Sequence, residues 1–438
     1  MSEEKILTEN EAALYMDEIS VSGMVLGLDS VRELLRRLGS PEKSLEFVHI
    51  AGTNGKGSIL AYISTVLKAA GYKTGRFFSP HIAFPREKIQ INGHPISKKD
   101  FCRILTDVKK ASDEMAAEGL SRPTVFETET ALALLYFKEK ECNIVVMECG
   151  LGGRDDSTNV IPAPLVTVFA HIDLDHKRIL GGTLEEIADC KSAIIKEGTS
   201  VVSGIQHDEV KRVLFERSME KEADIHFAAP EKIRYSIKKQ TFDAGAHKGL
   251  AISLAGLNQP ENAAAAVAAL DILSEKGFEI SDKALRTGLE TTEWFGRFSI
   301  LGKKPYVIAD GAHNPDAACR LKESLEIYFP DKKSVFILGV LKDKEYDKIL
   351  KILSECAISI VTVTPPENER ALPSYELAKE ACGYIENVTA ADSIEEALET
   401  AYLLSEMNDG CPIIASGSLS WLWRFKTAYE KIAVALEA

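Results

Sequence analysis

Residues 48–63 read VHIAGTNGKGSILAYI, an apolar run, a turn with three glycines and one lysine, and then a helical pattern. Such an order predicts a strand, a phosphate-type loop and a helix N-terminus, where orphan N–H groups and the helix dipole favour an anion. Gly52, Gly55 and Gly57 permit close backbone approach. Lys56 supplies a point charge for phosphates, and Ser58 offers a hydroxyl near a magnesium ion. The usual loop of this kind ends Gly-Lys-Ser or Gly-Lys-Thr, whereas here Gly57 separates Lys56 from Ser58. The alternative is a glycine-rich turn with a solvated lysine. Flanking strand and helix favour the nucleotide, without saying which reaction it serves.

Working outward, apolar runs alternate with amphipathic segments. LEFVHIA precedes ILAYISTVLKAAGY, NIVVMECG follows ETALALLYFKEK, and LVTVFAHI precedes LEEIADCKSAIIK. Unbroken apolar strands between helices imply a mostly parallel sheet covered on both faces. Residues 233–257 interrupt this pattern with a hairpin-rich patch, after which PYVIAD, SVFILGV, ISIVTVTP and PIIASG restart it. The expected fold is α/β, with a large N-terminal P-loop-type domain over 1–296 and a smaller Rossmann-like α/β domain over 297–438. Its 438 residues are too many for one core. A net charge of −14 argues against non-specific binding of nucleic acid or anionic membranes. No apolar stretch reaches the roughly 18 residues of a membrane span. The acidic N-terminus is unlike a signal peptide, and the eight cysteines are scattered without a Cys-x-x-Cys pair, so a cytoplasmic protein with reduced thiols is expected.

Several side chains then stand out. Glu148 ends the strand NIVVM, where open α/β sheets bind ligands, and there it is either a magnesium ligand or a solvent-facing loop residue. HIDLDH places His171, Asp173, Asp175 and His176 within six residues, as metal ligands or as capping and loop polar groups. On the helix expected over 184–196, Lys191 falls four residues after Ile187 and four before Ile195, on the apolar face. A desolvated lysine there has a lowered pKa and can take up CO2 as a carbamate, an anionic ligand for magnesium. The alternative is an ammonium that snorkels to solvent. In the second domain, Asp310 ends PYVIAD and precedes GAHNP, with Asn314 suited to cap a helix and Pro315 to begin it. Asp310 is a candidate for a ribose hydroxyl, His313 for phosphate, and Arg297 for the nucleotide on domain closure.

Together these motifs resemble the Mur ligase superfamily and, within it, the folylpolyglutamate and dihydrofolate synthases. The resemblance runs along nearly the whole chain, through HIAGTNGKGS, FFSPHI, REKIQINGHPIS, TVFETETALALLYF, MECGLGGRDDSTNV, IDLDH, TLEEIADCKSAIIK, NQPENAA, WFGRF, IADGAHNP and LGVLKDKEY. GTNGKGS is the family's own loop, which accounts for Gly57. The resemblance implies that Gly52, Thr53, Asn54, Gly55, Lys56, Gly57 and Ser58 hold ATP phosphates, with Asn262, Arg297, Asp310 and His313 as further ATP contacts. It implies Ser79, Glu148 and His176 as magnesium ligands with Ser58 nearby, and Lys191 as the family's carbamylated lysine. Asp156 matches a pterin contact, Glu127 lies in the segment lining the folate site, and Pro80 and His81 belong to the folate loop. The chain departs from the family with Asn258 for a histidine, Lys88 for an arginine, and HKRILG after Asp175. Val25 stands near where some bifunctional members carry an aspartate, a change that points away from efficient dihydropteroate use.

The implied activity is ATP-dependent addition of L-glutamate to a folate or to dihydropteroate, through an acyl phosphate. Lys56, Lys191, His176, His313 and Arg297 are the implied catalytic groups. The implied cofactors are ATP and one or two Mg2+, with room for a monovalent cation such as K+. The partners are small molecules (folate or pteroate, glutamate and ATP), with no nucleic acid and no membrane, around a monomer. Within the superfamily the rival is a muramyl-peptide or cyanophycin-type ligase, which SPHI and TVFETETA disfavour. A P-loop kinase or NTPase is the other rival, but it needs no DGAHNP domain.

Overall fold

The computed structural model describes residues 6–20, 23 and 27–437, so Val25 lies outside the described residues. The larger sheet contains β1 (Phe47–Ala51), β2 (Thr74–Phe77), β3 (Ile89–Ile91), β4 (His94–Pro95), β5 (Ile144–Glu148), β6 (Val166–Phe169), β7 (Ser200–Ser203) and β8 (Asp224–Phe227). Their order is β4-β3-β2-β5-β1-β6-β7-β8. From β2 to β8 all neighbours are parallel, and only the pairs β2 with β3 and β3 with β4 are antiparallel. Every residue of β1, β5 and β6 is buried, as their unbroken apolar reading requires. A fully buried valine or isoleucine in such a strand contributes about 1.5–3 kcal/mol relative to exposure.

Parallel pairing has one consequence for function. The carboxyl ends of β2, β5, β1 and β6 lie at the same sheet edge, with Phe77 beside Met147, Ile50 beside Glu148 and Ala51 beside Phe169. Segments far apart in sequence, after residues 51, 77, 148 and 169, therefore emerge side by side. The helix Lys56–Ala69 follows β1 and buries Ile59, Leu60, Ile63, Val66 and Leu67. Thr124–Glu127 and Thr183–Glu186 form capping boxes that start the helices Val125–Glu139 and Leu184–Ser192. The latter helix stops at Ser192 rather than at 196. Ile194 and Ile195 instead donate to carbonyls three residues back, Lys191 and Ser192, which tightens the chain into turns.

A small three-stranded sheet, β9 (Glu231–Arg234), β10 (Gln240–Ala244) and β11 (His247–Ile252), has the order β11-β10-β9. A second α/β sheet contains β12 (Ser299–Lys303), β13 (Tyr306–Ala309), β14 (Ser334–Leu338), β15 (Ala357–Thr362), β16 (Val388–Ala390) and β17 (Ile413–Ser416), in the order β12-β13-β17-β14-β15-β16. All its pairs are parallel except β12 with β13. Under it Trp421 is fully buried, and its Nε1–H donates to the Gly339 carbonyl at 3.1 Å. The fold is thus mixed α/β, with a large parallel-rich sheet and a separate α/β unit, as the alternation of the sequence leads one to expect. One compact unit comprises Met1–Glu231, Asp243–Leu250 and Glu261–Thr291; the other comprises Lys232–Phe242, Ala251–Pro260 and Thr292–Ala438. The division runs through β10 and β11. Among the described residues no helix is long and apolar enough to cross a membrane.

Candidate active site

The turn after β1 has the shape its glycines require. Gly55 sits at φ 100°, and a Cβ there would collide with the Asn262 side chain. The helix that begins at Lys56 has no capping side chain, unlike those capped by Ser97, Thr124 and Thr183, which suits a helix end that takes an anion in place of a cap. Asn262 is 6% exposed, yet its Nδ2 has no hydrogen-bond partner. A buried amide donor left unmade beside a glycine turn fits the phosphate oxygens of a nucleotide. Gly55→Ala forces both a left-handed alanine and that collision. It should weaken ADP binding about ten-fold or more, read by calorimetry; unchanged affinity would remove the turn from the nucleotide site.

Two lysines converge on one oxygen of this turn. Lys56 Nζ donates to the Gly52 carbonyl at 3.1 Å and to the Thr53 carbonyl at 3.3 Å, and Lys191 Nζ donates to the same Gly52 carbonyl at 2.8 Å. Lys191 is 5% exposed, so its ammonium does not snorkel to solvent. Burial, and then repulsion from Lys56, push its amine down to about 8. Glu148, at the end of β5, is buried with a carboxylate oxygen 3.8 Å from Lys56 Nζ. It is not the solvent-facing alternative.

The segment after Glu148 is held from beneath by a network that the apolar reading of β1 passes over. His49 is fully buried in β1; its Nε2 lies 2.8 Å from Thr158 Oγ1 and 3.2 Å from Cys149 Sγ. Burial pushes its imidazole down to about 3, so it stays neutral. A histidine inside an otherwise apolar strand was the available signal. Asp156 accepts the Leu151 N–H at 2.7 Å and the Thr158 N–H at 3.0 Å, and burial pushes its carboxyl up against those bonds. Gly153 packs on the backbone of Lys191, where a Cβ would meet the Lys191 carbonyl oxygen at 2.7 Å. Glu127 is buried and its carboxylate accepts the Thr124 N–H at 2.7 Å, which commits that oxygen to helix capping. Ser79 and Pro80 follow β2 through a cis peptide bond. Half-buried His81 comes next, its imidazole pushed down to about 4 by burial and by Lys88. Lys88 itself is buried in an ion pair with Glu129.

HIDLDH divides between two tasks. His171 and Asp173 turn toward His207, and one candidate ligand atom from each lies within 4.8 Å of the others. Nothing in HIDLDH points to His207, which enters from the segment after β7, two residues beyond Ile205, whose carbonyl lies 2.9 Å from His171 Nδ1. His171 holds the Asp173 carboxyl down, to about 2. His176 is exposed, in the left-handed region at φ 51°, with its ring 3.9 Å from Asp175. For magnesium, the sheet edge carries Glu148 as a buried carboxylate. That donor suits an ion that keeps waters and phosphate oxygens in its shell and takes only one or two carboxylates from protein.

In the second unit, Asp310 leaves β13 and accepts the Phe298 N–H at 2.8 Å and the Ala312 N–H at 2.9 Å. Burial pushes its carboxyl up while the Arg297 guanidinium pulls it down. Arg297 lies against Gly311, and His313 Nδ1 is 2.7 Å from the Gly311 carbonyl. Asn314 caps the helix Pro315–Tyr328 through Ala317 N–H at 2.9 Å. Arg297, from ahead of β12, thus meets the turn that holds Asp310 and His313.

Against known proteins, a Mur ligase middle domain matches residues 50–270 and a Mur ligase glutamate ligase domain matches 296–418. Over 353 residues the chain is 37% identical to the dihydrofolate synthase/folylpolyglutamate synthase of Bacillus subtilis, covering 77% of this chain and 81% of that protein. The chain belongs to the folylpolyglutamate/dihydrofolate synthase family of Mur ligases. Another relative is the folylpolyglutamate synthase of Lacticaseibacillus casei, 32% identical over 88% of this chain and 90% of that one. The fold is similar to Mycobacterium tuberculosis folylpolyglutamate synthase complexed with ADP and AMPPCP, with a TM-score of 0.89 and 28% identity over 97% of this chain and 99% of that one. It is also similar to Escherichia coli FolC in complex with DHPP and ADP, with a TM-score of 0.81 and 27% identity over 97% of this chain and 98% of that one. Proteins of this family are ATP-dependent glutamate ligases.

Proposed function

We propose that this chain joins L-glutamate to a folate, by extending tetrahydrofolate, by converting dihydropteroate to dihydrofolate, or by both. The observation that carries this reading is the convergence of Lys56 and Lys191 on the Gly52 carbonyl, beside the buried Glu148 and the unpartnered Asn262 amide. A carboxylate cannot accept an amine directly, because oxide is too poor a leaving group. The substrate carboxylate oxygen therefore attacks the γ-phosphorus of ATP; a P–O bond forms, the β–γ bridge breaks, and ADP leaves. The glutamate amine then attacks the acyl carbon and loses a proton, and phosphate departs as the C–O bond breaks.

Bringing a carboxylate to a triphosphate is electrostatically costly, so catalysis rests on positioning and charge neutralisation. Lys56 and the N–H groups at the start of its helix hold the phosphates, with Asn262 donating from the side. Arg297, Asp310 and His313 form the second unit's nucleotide contacts. Magnesium, when bound, screens the phosphate charges; Glu148, Ser79, His176, Ser58 and the carbamate of Lys191 are the residues proposed to hold it. The neutral Lys191 amine adds to CO2 and loses one proton, and a carbamate anion replaces the cation that Lys56 repels. Pro80 and His81 are assigned to the folate side, and Asp156 to that side through the Leu151 and Thr158 N–H groups that its carboxylate holds.

The test is incubation with Mg-ATP, glutamate and either dihydropteroate or tetrahydrofolate, with mass spectrometry and ADP measurement. A glutamylated pterin formed with one ADP per amide bond is expected. ADP formed without any amide product would overturn the reading in favour of a kinase or NTPase.

A further inference from the structure

We propose that His171, Asp173 and His207 form a site for a transition-metal dication of the Zn2+, Co2+ or Ni2+ kind, separate from the magnesium of the ligase reaction, that braces the phosphate loop. Asp173 Oδ2 lies 3.7 Å from His171 Nε2 and 3.6 Å from His207 Nε2. The two rings are 5.2 Å apart between centroids. Metal–ligand bonds of about 2.0–2.2 Å place donors in a filled tetrahedral site roughly 3.3–3.5 Å apart. The two separations from Asp173 are within a few tenths of an ångström of this, the three donors all lie within 4.8 Å of one another, and His207, with 46% of its side chain exposed, has the freedom to close the rest. That exposure also leaves an entry path and an open position for water.

The donors are oriented for a metal. His171 Nδ1 lies 2.9 Å from the Ile205 carbonyl, which can only accept, so Nδ1 carries a proton and Nε2, which faces Asp173, is the ring atom that would give up its proton to ligate. A backbone carbonyl fixing the tautomer in this way is what metal-binding histidines require. Asp173 Oδ1 accepts the Leu174 N–H, which leaves Oδ2 for the rings. Two imidazoles and one carboxylate select a borderline-soft dication; Mg2+, which prefers an oxygen shell, is poorly served.

Occupancy would reach the active site through the backbone. The His171 carbonyl accepts the Thr53 N–H at 2.8 Å and the Asn54 N–H at 3.1 Å. Thr53 Oγ1 donates to the Asp173 carbonyl at 2.9 Å and accepts the Asp173 N–H at 3.0 Å. His207 immediately precedes the helix Asp208–Glu220. A metal on these side chains therefore ties that helix, the segment after β6 and the phosphate loop together. Gln206 already bridges part of the gap, donating to the Ala170 carbonyl and accepting the Ile172 N–H, both at 2.8 Å.

The experiment uses the full chain stripped of metal, in excess Mg2+, titrated with Zn2+ by calorimetry and with Co2+ by visible absorption. Wild type should bind one Zn2+ that Mg2+ does not displace. His207→Ala should weaken it about 100-fold or more, and His176→Ala should leave it unchanged. Zn2+ should also raise the Tm of wild type by about 2–4 °C and not that of His207→Ala. Equal Zn2+ affinity in wild type and His207→Ala, or a loss confined to His176→Ala, would overturn the proposal. So would no binding at all. Because the readouts are metal content, absorption and Tm, the result is independent of the ligase reaction.

Discussion

Replacing Lys56 by alanine lowers kcat by about a thousand-fold or more and leaves the chain folded. Lys56 is the cation at the start of the phosphate-loop helix, held by the Gly52 and Thr53 carbonyls with Glu148 at 3.8 Å. Its charge is worth most when the γ-phosphoryl group is in transfer, because the developing charge is then greatest and the site is driest. Removing one such preorganised donor costs roughly 100- to 1,000-fold in enzymes, and here the lost group is a full charge. The fold does not depend on it, since the hydrophobic packing of the helix Lys56–Ala69 lies on Ile59, Leu60, Ile63, Val66 and Leu67. Single-turnover ADP release and a thermal melt check the two halves. A kcat within a few-fold of wild type would remove Lys56 from phosphoryl transfer, while a collapsed melt would show that it is structural.

Lys191→Ala should lose most ligase activity, and acetate or another short acid should restore part of it. The alanine leaves room where a carbamate would stand, and a small carboxylate reproduces that anion without the covalent bond. The buried amine is well suited to carbamylation. With its pKa moved from 10.5 to about 8, the neutral fraction near pH 7 rises about 300-fold over an ordinary lysine. Recovery of activity in CO2-depleted enzyme on adding bicarbonate should therefore speed up as pH rises toward about 8 and level off above it. The sign for stability follows from the same shift. Between about pH 8 and 10.5 the unfolded chain binds a proton at Lys191 that the uncarbamylated folded chain does not, so stability from this group rises with pH across that window. Below pH 8 both states are protonated and the folded chain bears the cost of a buried cation. Full activity of Lys191→Ala without acid would exclude a carbamate role.

Much of the site is legible in the sequence because its residues sit at strand ends. Lys56 and Glu148 follow or end apolar runs of the larger parallel sheet and so face one edge of it, and Asp310 follows an apolar run of the second sheet. Lys191 is legible through helical periodicity only from its N-terminal side, four residues after Ile187; the helix ends at Ser192, so Ile195 is not part of that face, and the burial of Lys191 comes from the tertiary packing. Other residues escaped for physical reasons. His207 carries no local signal, since it joins His171 and Asp173 only through the pairing of β6 with β7. The carboxylates of Glu127 and Asp156 face choices that spacing cannot resolve, and the structure commits them to Thr124, Leu151 and Thr158.

The alternation of strands and helices, the glycine loop and its lysine, and the motifs that resemble one ligase family can all be read from the amino-acid order. Each of these is a local matter of periodicity, backbone freedom and side-chain type. Only the tertiary structure decided that Lys191 reaches the same carbonyl oxygen as Lys56 from 139 residues away, that Asn262 fills the space Gly55 leaves, and that His207 meets His171. Parallel strand order sets those meetings. It is fixed by how the buried faces pack across the whole sheet, and no short window of sequence contains it.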